Sequence, residues 1–194
     1  MNEHLQKLRA LIHTIQPLPD NDWNAMSAIW SPFSAKRKEI LTRAGETEKY
    51  LYFVLDGVQR VYFEDDQSHE ATIVFTYPPS FSGVLDSMLM HQPSRYNFET
   101  LTPSEFLRTP IATLLRLADN HLQIAKMMQT GLIGTLSGVL SRMVELQSFS
   151  AEERFRNLLK RSPHILQLVP HKYLANYIGV DASNFSKMIN KIKI

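Results

Sequence analysis

The clearest chemical arrangement lies at the C-terminal end of the chain. Ser183, Asn184, Lys187, Asn190 and Lys191 fall on one side of a stretch whose other side is Phe185, Met188, Ile189 and Ile192. Residues three and four apart share a helix face, so the spacing predicts a short helix from Ala182 to Ile192. Short polar groups near such a helix's N-terminus reach base edges, and lysines further along reach phosphates or guanine. A solvated surface helix carries the same pattern, so the face alone leaves both readings open. A second group is Gly83-Val84-Leu85 followed by Pro93-Ser94-Arg95-Tyr96. It joins a glycine turn, a short apolar helical segment and one arginine in a polar loop. Such a segment can turn binding of a small molecule into motion of the helices that follow.

Enzymatic chemistry finds no comparable foothold. A metal-dependent barrel enzyme needs histidines clustered with a carboxylate on its strands. The seven histidines (His4, His13, His69, His91, His121, His164, His171) form no close pair, and most fall in helical or loop segments. No catalytic residue, metal ligand or phosphate-binding glycine loop stands out. The chain has no cysteine, which excludes disulfides and iron–sulfur clusters and suits a reducing cytosol.

The elements that must position these groups change character along the chain. Leu5, Leu8, Leu11, Ile12 and Ile15 predict a first helix, and Asp20 or Asn21 caps a second that carries Trp23, Met26, Ile29 and Trp30 and closes at Pro32. From Glu39 the period becomes two. Leu51, Phe53 and Leu55 alternate, Asp56-Gly57 is a hairpin turn, and strands follow at Val58–Phe63, Ala71–Tyr77, Asn97–Leu101 and Glu105–Thr109. Short strands separated by turn residues predict a β jelly roll or barrel.

Pro110 opens a helical half. A long helix is expected from about Asn120 to Phe149. Leu122, Ala125, Gln129, Leu132, Leu136, Val139, Met143 and Leu146 follow a 3-4 spacing along it, which suits a dimer seam or packing on the chain's own barrel. Gly131, Gly134 and Gly138 each cost about 1 kcal/mol relative to alanine, a cost that close helix approach offsets. Ser150 and Glu153 form a capping box. Finally Lys172 to Ile178, Gly179, the apolar plug Val180 and the N-cap Asp181 precede the polar-faced helix, which is the helix-turn-helix pattern.

Charge follows the same division. The net charge is +2, but the segment from Ala151 onward has eight Lys or Arg against three acids. A basic end on an acidic body suits a polyanionic partner. The first residues carry no signal-peptide pattern, and no apolar run approaches a membrane span, so a soluble cytoplasmic protein is expected.

The sequence resembles the Crp/Fnr superfamily of bacterial transcription regulators over nearly its whole length. The resemblance rests on Gly45-Glu46 ahead of Leu51-Tyr52-Phe53-Val54-Leu55-Asp56-Gly57-Val58-Gln59-Arg60-Val61-Tyr62. It extends to Gly83 and Leu85 with Pro93 to Leu101, and to Lys172-Tyr173-Leu174-Ala175-Asn176-Tyr177-Ile178-Gly179-Val180 with Ser186-Lys187, in the form common among Bacteroidetes members. It implies an α+β chain: N-terminal helices and a jelly-roll sensor barrel (1–118), a long dimerisation helix (119–149) and an all-α helix-turn-helix domain without a wing (150–194). It further implies a homodimer joined through Leu132, Leu136, Val139 and Met143, bound to a palindromic DNA site through Lys172, Ser183, Asn184, Lys187, Asn190 and Lys191. RNA polymerase and a small-molecule effector are further implied partners, with no membrane.

The effector site departs from the family pattern. Members that bind cyclic nucleotide carry glutamate after the cassette glycine, where Val84 stands. Their phosphate-pairing arginine falls on Ser94, with Arg95 one position later, and a one-residue shift turns a side chain to the other face. Gly83, Val84, Leu85, Ser94, Arg95 and Tyr96 therefore outline a degenerate pocket whose effector is a cyclic nucleotide, another molecule or none. A module that binds a ligand or protein but no DNA is the rival reading.

Overall fold

The computed structural model describes residues 2–191; Ile192, expected on the inner side of the last helix, and Lys193, counted in the basic segment, lie outside them. The described elements are α1 (Asn2–Ile15), α2 (Asp20–Ser27), β1 (Ser31–Ala35), β2 (Ile40–Thr42), β3 (Tyr50–Asp56), β4 (Gln59–Glu64), β5 (Glu70–Thr76), β6 (Ser80–Ser82), α3 (Leu85–Met90), β7 (Asn97–Thr100), β8 (Ser104–Pro110), α4 (Ile111–Asn120), α5 (Leu122–Ser148), α6 (Ala151–Arg161), α7 (Ile165–Leu168), α8 (His171–Ile178) and α9 (Ala182–Lys191). The strands form two antiparallel sheets, ordered β1-β8-β3-β6 and β2-β7-β4-β5.

Both faces of β3 are apolar, and each serves a different core. Tyr52 and Val54 point between the sheets, where they meet Ala35, Val61, Val84, Phe98 and Phe106. Phe53 and its neighbours Leu51 and Leu55 point outward under α1, α2, α4 and α5, against Leu8, Ile12, Trp23, Met26, Leu114, Ile124 and Met127. Fully burying a side chain such as Phe53 or Leu107 stabilises the fold by about 1.5–3 kcal/mol. Helices therefore cover one sheet from outside while aromatic rings fill the space between the sheets.

Three local expectations need correction. The segment after Trp30 is not simply the end of a helix: Ser31–Ala35 pairs with β8 in the register Ser31↔Arg108 to Ala35↔Ser104. Pro32 is tolerated there because β1 is an edge strand, where a missing N–H need cost no ladder bond. Ser80–Ser82, just ahead of the Gly83 turn and outside every expected strand, forms a three-residue strand against Tyr52–Val54. The second helix follows Pro19 and begins at Asp20 with no side-chain cap.

The 27-residue α5 is about 40 Å long at 1.5 Å per residue. Its first turns bury Ile124 and Met127 against the helical layer. The capping box of Ser150 and Glu153 then starts α6. The last four helices share a core of Phe155, Leu158, Ile165, Leu174, Ile178 and Phe185, which also takes in Val58, just ahead of β4, and Leu101, just after β7. The C-terminal helices are thus seated on the outer face of the β2-β7-β4-β5 sheet.

Candidate nucleic-acid interface and sensor pocket

The α8–α9 pair is built by its turn. Gly179 ends α8 at φ 72°, a left-handed conformation that costs glycine little. Gly179 N–H donates to the Asn176 carbonyl and Val180 N–H to the Ala175 carbonyl, closing the helix in the manner of a Schellman cap. Asp181 then accepts from Asn184 N–H at 2.8 Å. These bonds hold its carboxyl below the usual carboxylate range. Phe185 is fully buried and packs edge-on against Phe155, with ring centroids 5.2 Å apart.

This packing leaves Ser183, Asn184, Lys187, Asn190 and Lys191 exposed along α9, and Lys172 exposed at the start of α8. Asn184 also donates its side-chain amide to Asp181 at 2.6 Å. Lys172 lies 4.6 Å from the Tyr173 ring centroid. Six groups able to contact bases or phosphates therefore belong to one two-helix unit, with none buried.

Beneath this unit lies a charged cluster that period-two reading of β4 does not reveal. Arg60 is only 2% exposed. Its Nε meets Glu99 at 2.5 Å and one terminal nitrogen meets Glu70 at 2.5 Å. The guanidinium lies between the rings of Tyr62 and Tyr173, at 3.9 and 4.1 Å from their centroids. Lys38 completes the cluster, 3.2 Å from Glu99 and 2.5 Å from the Tyr173 hydroxyl. Burial opposes the Arg60 charge, and hydrogen bonds to Glu70 and Glu99 outweigh it, so its proton is held more tightly. Burial and the nearby Glu99 charge push the Tyr62 hydroxyl up to about 12. The signal missed was topological: β4 is an inner strand whose outer face is roofed by α8, so alternation on it does not mean alternation with solvent.

The other link is Glu145, 5% exposed near the end of α5. It accepts from Arg161 of α6 and from Arg142, and Arg142 also donates to the Tyr177 carbonyl of α8. Burial pushes the Glu145 carboxyl up, but the two arginines more than reverse this and leave it low.

The residues expected at a dimer seam face outward. Leu132, Leu136, Val139 and Met143 are 38–58% exposed, and Ile133, Leu140 and Val144 beside them are exposed as well. The apolar surface is wider than the predicted seam. A Cβ added at Gly134 or Gly138 would meet nothing within 4 Å, so that flank is open.

The residues expected to outline a pocket take different surroundings. Gly83 adopts φ 129°, and a Cβ there would lie 2.5 Å from Met88 and 3.2 Å from the Tyr50 carbonyl. Val84 is 2% exposed and packs into the inter-sheet core with Tyr52, Phe98 and Phe106. It offers no group to a ribose hydroxyl. Leu85 starts α3 and packs outward with the helical layer. Ser94 is buried and consumed locally: its hydroxyl donates to the Tyr96 carbonyl and accepts from Tyr96 N–H. Arg95 is exposed, whereas Tyr96 packs against the inter-sheet core. Glu48 is buried nearby and accepts from Thr42, Lys49 and Tyr50; burial raises its pKa. These residues do not fit a cyclic nucleotide: buried Val84 offers no carboxylate to a ribose, Ser94 stands at the expected arginine position with its hydroxyl already bonded, and Arg95 is exposed. A cavity of about 610 Å³ lies outside the two sheets instead, walled by apolar residues of α1, α3 and α5 such as Leu11, Met88, Leu89 and Met127.

Among the described residues, no group of three or more His, Asp or Glu is placed to hold a metal ion, and no helix is long and apolar enough to cross a membrane. Residues 32–121 match the family model of the cyclic nucleotide-binding domain. No curated protein matches the chain. FixK2 from Bradyrhizobium japonicum is similar in structure, with a TM-score of 0.75 and 19% identity over 84% of each chain. The c-di-GMP responsive global regulator CLP of Xanthomonas campestris is similar at 0.65 and 16% identity, covering 89% of this chain and 91% of its own. A CooA mutant from Carboxydothermus hydrogenoformans is similar at 0.65 and 17% identity, over 86% and 77%. At these identities the likeness establishes the fold.

Proposed function

We propose that the chain is a sequence-specific DNA-binding transcriptional regulator of the Crp/Fnr type, in the form common among Bacteroidetes members. The observation that carries this reading is the α8–α9 pair. Its turn is capped at both sides, its inner face is packed, and Ser183, Asn184, Lys187, Asn190 and Lys191 stand exposed on one short helix. The match of residues 32–121 to a cyclic nucleotide-binding domain supports a sensor coupled to that reader.

In this reading residues 1–118 form the jelly-roll sensor, α5 the dimerisation helix, and residues 150–194 the reader. A second copy covers the apolar stripe of α5 and the cavity wall formed by Gly131, Leu132, Gly134 and Thr135. The two readers then meet the halves of a palindromic site. Asn184 and Ser183 address base edges, and Lys172, Lys187, Asn190 and Lys191 address phosphates and guanine. The chain performs no catalysis, acts in the cytoplasm and works with RNA polymerase.

The effector is a molecule other than a cyclic nucleotide, or there is none. Whatever biases α3 does so through Met88 and Leu89, which share the helical core with the start of α5. An effector shifts the reader only through different affinities for two packings. Selection of random-sequence DNA on the purified chain tests the reading. Enrichment of a two-fold symmetric sequence is expected, and recovery of no sequence sinks it.

A further inference from the structure

The seat of the reader on the barrel contains a bond pattern that the DNA-reading role does not require. β5 is the outer strand of its sheet and pairs on its inner side with β4, Tyr62 opposite Thr72. On its outer side, Thr72 N–H donates to the Asn176 side-chain oxygen at 2.6 Å. The Asn176 side-chain nitrogen donates to the Glu70 carbonyl at 2.5 Å. One amide thus takes the donor and the acceptor that an edge strand offers an added strand.

Tyr173 and Tyr177 stand on the same face of α8, three residues before Asn176 and one after it. Tyr173 carries the Arg60 guanidinium on its ring and the Lys38 bond on its hydroxyl. Tyr177 packs on Phe75 of β5, with ring centroids 5.3 Å apart. The exposed side chains of α9 take no part in this contact. The seat therefore leaves the reading face free while fixing its direction.

We infer that Asn176 is a positioning residue: by clamping α8 to the edge of β5 it holds the reader at a set angle to the barrel, so that two readers match two half-sites at once. This rests on the DNA-binding reading above. Half-sites of a two-fold site lie about 34–36 Å apart, or a multiple of that. Two heads held at that spacing bind the second half at high effective concentration, and loosely hinged heads lose this advantage.

Two measurements on the full-length chain test it. The chain has no cysteine, so spin labels at Glu105→Cys on β8 and Lys160→Cys on α6, both exposed, report the reader–barrel distance without background. Asn176→Ala should broaden a narrow distribution. Thr72→Pro, which removes the same bond from the barrel side, should do likewise. An unchanged width in both variants overturns the clamp whether or not the protein binds DNA.

The second measurement compares a duplex recovered by selection with the same duplex scrambled in one half. Asn176→Ala should weaken binding to the intact duplex by about tenfold or more, a part of the roughly 10²–10⁴-fold gain that linking two modules gives, and leave half-site binding unchanged. Equal losses on both duplexes indicate a general folding defect and refute positioning. Tighter binding refutes it too, since the seat would then restrain the reader. If the wild-type chain binds neither duplex, the DNA-binding reading fails and this inference with it, and the label distances then report only a structural clamp.

Discussion

Replacing Lys187 by alanine removes one exposed cation from each reading helix. Lys172, Lys187 and Lys191 are exposed on the α8–α9 unit, so a dimer presents about six such lysines. If each neutralises one phosphate, the logarithm of the DNA association constant falls with the logarithm of salt with a slope of about −0.9 per contact, or about −5 in all. Lys187→Ala removes two contacts and brings the slope to about −3.6. Between 50 and 200 mM salt the wild type should lose about three decades of affinity and the variant about two. Fluorescence anisotropy over a salt series on a selected duplex measures both slopes. Asn184→Ala is the control: it should lower affinity for the selected sequence and leave the slope in place. Because Lys187 is exposed, its removal should shift stability by no more than about 0.5 kcal/mol. A slope that does not move on losing Lys187 removes it from the contact surface and refutes the reasoning.

Arg60→Ala leaves Glu99 buried with only Lys38 beside it, so a loss of about 3–5 kcal/mol is expected in denaturant unfolding; a loss below 1 kcal/mol would contradict the buried pairing. Glu145, with a folded-state pKa below its ordinary 4.5, contributes stability that is present above about pH 4.5 and lost as pH falls through the lower folded value. The melting temperature of Glu145→Gln should therefore decline less than that of the wild type on acidification below pH 4.5, and parallel declines would refute the linkage. Cyclic AMP at 1 mM should leave the melting temperature unmoved, whereas a ligand with a 10 μM dissociation constant would add about 2.7 kcal/mol. Leu136→Asp, placing a charge on the exposed stripe of α5, should convert a sedimenting dimer to monomer; an unaltered dimer would place the interface elsewhere.

Legibility varied with how local the cause was. The Ser150–Glu153 box, the Gly179 cap and the Asp181 cap involve residues at most a few positions apart, and all three form as their types predict. Strands β1 and β6 were not legible. Pro32 and the serines of Ser80–Ser82 are poor strand formers, and β8 and β3 supply the pairing that holds them extended. The pocket residues could be located but not oriented. Val84 offers no polar group by type alone, but whether Ser94 is spent on its own turn and Arg95 faces solvent depends on backbone bonds from Ser94 to Gly45 and Glu46, far back in the chain.

Sequence by itself determined the order of elements, N-terminal helices, then strands, a long helix and a capped two-helix unit, because periodicity and capping act within one or two turns of chain. It determined the polar face of α9 for the same reason. Only the tertiary structure decided what lies beneath that unit. Arg60, Glu70, Glu99, Lys38, Tyr173 and Asn176 are up to 138 residues apart in the chain, and each alone reads as an ordinary surface residue. They become a buried ionic cluster and an edge clamp because β4 and β5 are roofed by α8, and burying a charge is tolerated only where partners stand ready to meet it.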